Sequence, residues 1–330
     1  MAGILLFFLL VTATAAGGAW LVLTPYGPAT ETFVNIAPGS SAIAIAHKLE
    51  STGIVRTRYA FDLVRWLEHG TLHAGTYRFD HPMPVNDVYQ QLAHGDVYTK
   101  ALTVPEGASI FDIAERVEQA GLGTRKDFLA AAVNQTRLIA DLDPAAKSLE
   151  GYLFPDTYRF SPTVTAAQIA GTMVKRFRQE ATQLGLTQNV HRVVTMASLV
   201  ERETAVDAER PLVASVFENR LAQNMPLNTD PTVIYGLELK GQWRGNIYAS
   251  DLTRETAYNT DLHDGLPPGP IANPGVPSLR AAMNPAKTTY LYFVAAGLDA
   301  QGHSRFATTL DEHNKNVAAY RQEQKKAGER

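Results

Sequence analysis

Glu203 closes the run Met196-Ala-Ser-Leu-Val-Glu201-Arg-Glu203-Thr204. Counting back along a helix, Val200, Leu199 and Met196 lie three, four and seven residues before it, so its carboxyl continues the apolar stripe expected to face the interior. A carboxyl on that face loses water, which raises its pKa toward the range where it can hold and donate a proton. Glu201 competes for the same role, but it projects about 200° away on a helix, so the two should not share one cleft. The ordinary alternative makes both glutamates solvated partners of Arg202 and Arg210.

Around this acid the sequence is rich in groups that suit a carbohydrate. Sugars need amides and hydroxyls to match their own hydroxyls, and flat aromatic faces for their C–H surfaces. Asn228, Thr229, Asp230, Tyr235, Tyr258, Asn259 and Asn273 supply that set. Each has a plainer use: Asp230 before Pro231 can cap a helix or make a turn, and the two tyrosines can be core aromatics with a wet hydroxyl. No His/Glu cluster has metal-ligand spacing, no glycine-rich phosphate loop is present and no Gly-x-Ser-x-Gly elbow occurs, so no metal and no cofactor are expected.

Composition narrows the setting. The 330 residues are 45% hydrophobic and 19% charged, enough for two or three packed units. A net charge of −3 without a basic run makes nucleic acid an unsuitable partner. There is no cysteine, which excludes disulfides, thiolate nucleophiles, Cys-ligated zinc and a lipid-modified N-terminal Cys. Ile4 to Leu23 is uncharged and long enough to cross a bilayer, with Trp20 and Tyr26 suited to its interface. A cleavable signal peptide is the rival, since small residues follow a short apolar core at Ala13. The anchor is favoured because apolarity resumes at Trp20. Lys and Arg do not flank the span closely, so charge sets no orientation.

The elements that must position the acid follow. Residues 34–53 align without gaps with 102–121 and match at Gly39/Gly107, Ser41/Ser109, Ile45/Ile113, Ala46/Ala114, Glu50/Glu118 and Gly53/Gly121. Each copy reads as a strand, a turn at glycine, a Ser-capped amphipathic helix and a glycine stop. The pattern resembles a LysM unit, a fold associated with N-acetylglucosamine polymers; a duplicated scaffold is the alternative. Between the copies, 74–79 reads as a strand and 85–95 as a helix ending at glycine. Beyond residue 145 the pattern predicts helices over 166–179, 193–203 and 211–221, a shaped Pro/Gly loop over 265–275, a hairpin from 290–295 and 304–308, and a last helix from Asp311.

Several motifs taken together resemble the endolytic murein transglycosylase family, MltG/YceG-like: Glu150-Gly-Tyr-Leu-Phe-Pro-Asp156-Thr-Tyr158, Ala197-Ser-Leu-Val-Glu-Arg-Glu-Thr-Ala205, Val213-Ala-Ser-Val-Phe-Glu-Asn-Arg-Leu221, Thr229-Asp-Pro-Thr-Val-Ile-Tyr-Gly236, Ala257-Tyr-Asn-Thr260 and Gly265-Leu-Pro-Pro-Gly269. The resemblance covers nearly the whole chain. It implies cleavage of the MurNAc–GlcNAc bond of nascent peptidoglycan without water. One carboxyl protonates the leaving oxygen and then accepts the proton of the muramyl C6 hydroxyl as a 1,6-anhydro ring closes, so a single acid suffices where hydrolases use two. Glu203-Thr204 is similar to the Glu-Ser pair of other lytic transglycosylases, which makes Glu203 the expected acid and Glu201 its backup. Glu150 and Asp156 join the substrate-binding candidates, unless they cap or brace the domain entry. The sequence departs from the family at Asp261, where an aromatic is common, and at Ser304-Arg-Phe306 in place of His-x-Phe.

The expected architecture is α+β: a transmembrane anchor over 1–24, a LysM-like α/β region over 25–144 and a mixed α+β catalytic domain over 145–330. The implied setting is the inner (plasma) membrane, crossed once, with the catalytic domain in the periplasm. The implied partners are peptidoglycan glycan strands and the penicillin-binding proteins of the elongation or division machinery. Two rivals remain: a muramidase that uses water, and a noncatalytic membrane-anchored scaffold that binds peptidoglycan.

Overall fold

A computed structural model describes residues 2–297 and 302–328. Its first element, α1 (Ala2–Leu23), has no charged residue and is unburied through the apolar stretch Ile4–Leu23, which is long and apolar enough to cross a membrane. The chain divides into two compact units: unit 1 comprises Met1–Ala101 with Arg159–Thr163, and unit 2 comprises Leu102–Tyr158 with Val164–Arg330.

In unit 1, β1 (Thr32–Ile36) leads to α2 (Ala42–Ser51) and α3 (Arg58–Glu68), and β2 (Gly75–Phe79) returns antiparallel, Val34 opposite Tyr77. Helix α4 (Val85–His94) follows and stops at Gly95, whose φ of 72° suits a residue without Cβ. Ser41 caps α2 by accepting the Ala44 N–H. Val34, Ile36, Leu49, Phe61, Val64, Tyr77, Phe79 and Leu92 fill the core, and Leu21 and Val22 of the last α1 turn pack onto it.

The second repeat copy has the expected form. Strand β3 (Lys100–Thr103) precedes α5 (Ile110–Gln119), whose N-terminus carries a capping box of Ser109 and Asp112, then α6 (Arg125–Asn134) and β4 (Thr157–Phe160), which pairs with β3. Each copy is therefore followed through the same order of strand, helix, helix and strand. The compact units divide at Ala101/Leu102, with Arg159–Thr163 returning to unit 1. Helix α5 packs on α6 and α6 on α7, and Leu149 N–H donates to Ala132 O at 2.8 Å, which ties α5 and α6 into unit 2.

Unit 2 continues with α7 (Ala166–Leu184), α8 (Val190–Glu203), α9 (Arg210–Ala222), α10 (Asp230–Leu239), α11 (Ala249–Leu252), α12 (Val276–Met283), the antiparallel pair β5 (Tyr292–Ala295) and β6 (Ser304–Ala307), and α13 (Leu310–Gly328). Helix α8 is the central element. It buries Val190, Val194, Met196, Leu199 and Val200 and packs against α12, α9 and α10. Gly151 shows how closely the chain approaches it: a Cβ there would lie 2.6 Å from the Val194 side chain and from Pro270, at a φ of 86°. The expected helices extend a turn or so further than their patterns, to Leu184 for α7 and from Val190 for α8. Helix α10 was not legible as a helix, because Asn228 to Pro231 reads as loop and its apolar residues surround the axis instead of forming a stripe.

Candidate active site

Glu203 is the last residue of α8, and Thr204 leaves the helix in an extended conformation. Its half-buried carboxyl lines a cavity of about 370 Å³ together with Phe217 and Arg220 of α9, Leu227 to Pro231, Phe293 of β5 and His313 of α13. Burial raises its pKa above 4.5, and the charge of Asp230 pushes the same way; the Thr229 hydrogen bond, Arg220 and Arg202 only partly oppose this. A carboxylate at a helix C-terminus also meets the negative end of the helix dipole, which again favours the protonated form. The acid is thus held ready to carry a proton.

Thr229 fixes this acid. Its hydroxyl donates a short hydrogen bond to Glu203 Oε1. Thr229 is itself set by the loop after α11: its N–H donates to Thr260 Oγ1 at 3.2 Å, and the Thr232 hydroxyl donates to Thr229 O at 2.7 Å. Asn228, with a φ of 48°, donates through Nδ2 to Asp261 Oδ1 at 2.8 Å, which anchors the turn before α10. Asp230 opens α10 at the cavity wall, and burial together with the charge of Asp261 raises its pKa.

Four expected site residues, Glu203, Asn228, Thr229 and Asp230, therefore meet at one cavity. The others are placed elsewhere. Glu201 faces away from it: Arg210 Nη1 lies 2.8 Å from Oε1, Gly275 N–H donates to Oε2 at 2.9 Å, and the side chains of the pair are only 5% and 4% exposed. The plain alternative, an ion pair with Arg210, holds for Glu201 and not for Glu203. Asn259 is fully buried and donates to Leu252 O and Arg254 O, both at 2.9 Å, which shapes the loop that holds Thr260.

Asn273 is equally buried. It accepts the Leu153 N–H at 2.8 Å and donates to Ala108 O and Glu150 Oε1, tying the 265–275 loop into the domain. Glu150 is buried too, accepts the Ile110 N–H at 2.9 Å, and has its pKa pushed up to about 8 by burial. The Tyr235 ring packs 4.9 Å from Tyr258, edge-on, and burial followed by the Glu150 charge pushes its hydroxyl pKa up. Glu150, Asn273 and Tyr235 are buried together, and the half-buried Tyr258 ring packs on Tyr235. Asp156 stands on the surface 2.8 Å from Arg176 Nε, and that hydrogen bond holds its carboxyl below the usual range.

Six cavity residues outside the expected set complete the walls: Phe217, Arg220, Leu227, Pro231, Phe293 and His313. Arg220 donates to Leu291 O at 2.7 Å and to Leu227 O at 2.8 Å, joining β5 to the chain before α10. His313 stacks on Tyr292 at 5.2 Å, and burial followed by the Arg220 charge lowers its pKa, which favours the neutral ring. Its Nδ1 is buried without a hydrogen-bond partner among the described residues. Arg220 is the penultimate residue of the Val213–Leu221 motif, but sequence spacing does not reveal that it shares a cavity with Glu203. Nothing singles out His313 in a polar terminal helix.

The YceG-like family matches this chain over residues 34–319. The chain belongs to the YceG-like family. A Bacillus subtilis relative named endolytic murein transglycosylase is 35% identical over 92% of this chain and 90% of its own. A protein of the same name from Streptococcus pneumoniae is 29% identical over 87% of this chain, which spans 58% of that longer protein. The crystal structure of a yceG-like protein from Listeria monocytogenes, 34% identical, superposes with a TM-score of 0.56 and covers 87% of this chain and 99% of that one. In this YceG-like chain the matched region runs from β1 into α13 and so includes every wall of the Glu203 cavity.

Proposed function

We propose that this YceG-like chain is an endolytic murein transglycosylase anchored by α1. Glu203, protonated in the resting cavity, gives its proton to the oxygen between MurNAc and GlcNAc as the C1–O bond breaks. The resulting carboxylate then takes the proton of the muramyl C6 hydroxyl, whose oxygen attacks C1 and closes the anhydro ring. Thr229 engages Oε1, which leaves Oε2 to exchange the proton. Asp230 on the same wall supplies negative charge opposite the oxocarbenium ion that develops at C1. The observation that carries this reading is the half-buried Glu203, its pKa raised, facing a cavity large enough for a sugar ring.

A water-using muramidase is favoured by one feature, the second carboxyl in the cavity. Digestion of purified sacculi followed by mass analysis decides: an anhydro end supports transglycosylation, and a reducing muramic acid end overturns it. Asp230→Asn sharpens the comparison, because a transglycosylase keeps its product type while a hydrolase that relies on Asp230 as base loses its reaction. The strand-helix-helix-strand order of both repeat copies supports a LysM-like role in holding glycan. The apolar span of α1 supports a single crossing of the inner membrane with unit 2 in the periplasm, where murein lies. Family resemblance supports work beside penicillin-binding synthases of elongation or division.

A further inference from the structure

Helix α3 is apolar on two faces. Ala60, Phe61 and Val64 are buried in the unit 1 core, whereas Tyr59, Leu63, Trp66 and Leu67 are 67, 43, 66 and 61% exposed. The exposed four recur at i, i+4, i+7 and i+8, one continuous stripe, and exposed Ile43 stands on α2, which packs against α3. Contiguous exposed apolar faces of this kind mark a partner or a membrane.

The surroundings identify which. Helix α3 packs against α1, the membrane-length helix, inside the same unit. Arg56, two residues before α3, places its guanidinium 4.5 Å from the Trp20 ring and 4.7 Å from the Tyr26 ring, which pins the start of α3 beside the end of the apolar span. Trp and Tyr are the aromatics that settle at lipid headgroup level, and Arg58 beside the stripe offers a cation for phosphates, while Arg65 lies 3.9 Å from Asp62. We infer that the Tyr59–Leu63–Trp66–Leu67 face of α3 lies in the interface of the phospholipid bilayer that α1 crosses, so unit 1 rests on the lipid surface. This rests on the reading of α1 as a membrane span. It also supplies what the sequence lacked, a basic residue at the membrane edge, brought there by the fold and not by the flanking sequence.

The chain has three tryptophans, so Trp20→Phe with Trp243→Phe leaves Trp66 as the sole reporter, and Trp66→Phe with Trp243→Phe leaves Trp20. Each full chain is reconstituted into phosphatidylethanolamine/phosphatidylglycerol vesicles with or without brominated acyl chains. Trp66 fluorescence should fall at least about two-fold with brominated lipid, and Trp66 should resist aqueous acrylamide. Quenching of Trp20 but not of Trp66 overturns the docking of α3 and leaves the anchor standing; quenching of neither removes the anchor and the docking with it. Shielding of Trp66 from acrylamide without bromolipid quenching, whether by added glycan fragments or at high protein-to-lipid ratio, assigns the face to glycan or to a second copy and overturns the lipid assignment. A nitroxide at Leu67→Cys, unique in a cysteine-free chain, repeats the test without touching a tryptophan; it should be more accessible to oxygen than to an aqueous nickel chelate, and the reverse order overturns the proposal.

Discussion

Glu203→Gln separates chemistry from folding at the cavity. The amide keeps the shape, and its oxygen can still accept the Thr229 hydroxyl, but it has no proton to give or take. Because the proposed mechanism uses this one group as acid in one step and base in the next, the loss expected is that of general acid–base catalysis, about 10²–10⁴-fold. At 1.36 kcal/mol per decade this is about 3–5.5 kcal/mol of transition-state stabilisation. Stability should move the other way. Burial raises the folded pKa of Glu203 above its ordinary 4.5, so as pH rises the unfolded chain ionises first and the native enzyme loses stability until pH passes the folded pKa. Glutamine removes that loss. The variant should therefore melt level with the parent at about pH 4 and above it at about pH 8, while release of anhydro-muropeptides from sacculi collapses at every pH. Anhydro release near the parental rate, or a melting temperature below the parent across the whole range, would refute the assignment of a half-dry proton carrier.

Glu201→Gln should show the opposite signature, because buried Arg210 keeps Asp207 at Nε but loses its charged partner at Nη1: about 1.5–3 kcal/mol of destabilisation, visible as a drop of roughly 3–12 °C in melting temperature, with unchanged melting as the refuting result. Thr229→Val removes a donor that favours ionised Glu203, so the folded pKa rises further and the alkaline limb of the pH–rate profile moves up; Thr229→Ser should restore the parental limb, and a limb that stays or moves down contradicts the coupling. Asn273→Ala strands the Leu153 N–H in the interior and takes a donor from Glu150, while Ala108 O keeps the backbone N–H of residue 273, so it should cost about 1–3 kcal/mol in denaturant unfolding, whereas a sugar-binding asparagine would raise KM with no change in unfolding.

The contrast between Glu203 and Asn273 shows what a sequence carries and what it does not. The placement of Glu203 was legible because it follows from local geometry: Val200, Leu199 and Met196 define a helix face, and the carboxyl lies on it wherever that helix packs. Asn228, Thr229 and Asp230 were legible as companions because they are contiguous and travel together. Both repeat copies were legible for the same reason, since Gly39, Ser41 and Gly53 and their counterparts Gly107, Ser109 and Gly121 specify turn, cap and stop within 15 residues of one another.

Asn259, Asn273 and Glu150 show the opposite case. An amide that matches sugar hydroxyls is chemically the same as one that matches peptide N–H and C=O, and which it meets depends on whether its loop is buried. The 265–275 loop is too rich in Pro and Gly to pair its own backbone, yet Gly269 to Gly275 is buried, so its polar groups must be satisfied by side chains from elsewhere. Ser198 Oγ takes the Ile271 N–H at 3.1 Å, and Asn273 itself reaches Ala108, Glu150 and Leu153. An asparagine inside a Pro/Gly-rich segment next to a catalytic helix is therefore first a structural residue, and becomes a ligand candidate only if the loop lies at the surface. Arg220 and His313 make the complementary point. They reach the Glu203 cavity from two helices separated by the β5/β6 pair, and no periodicity or spacing within either helix encodes that meeting.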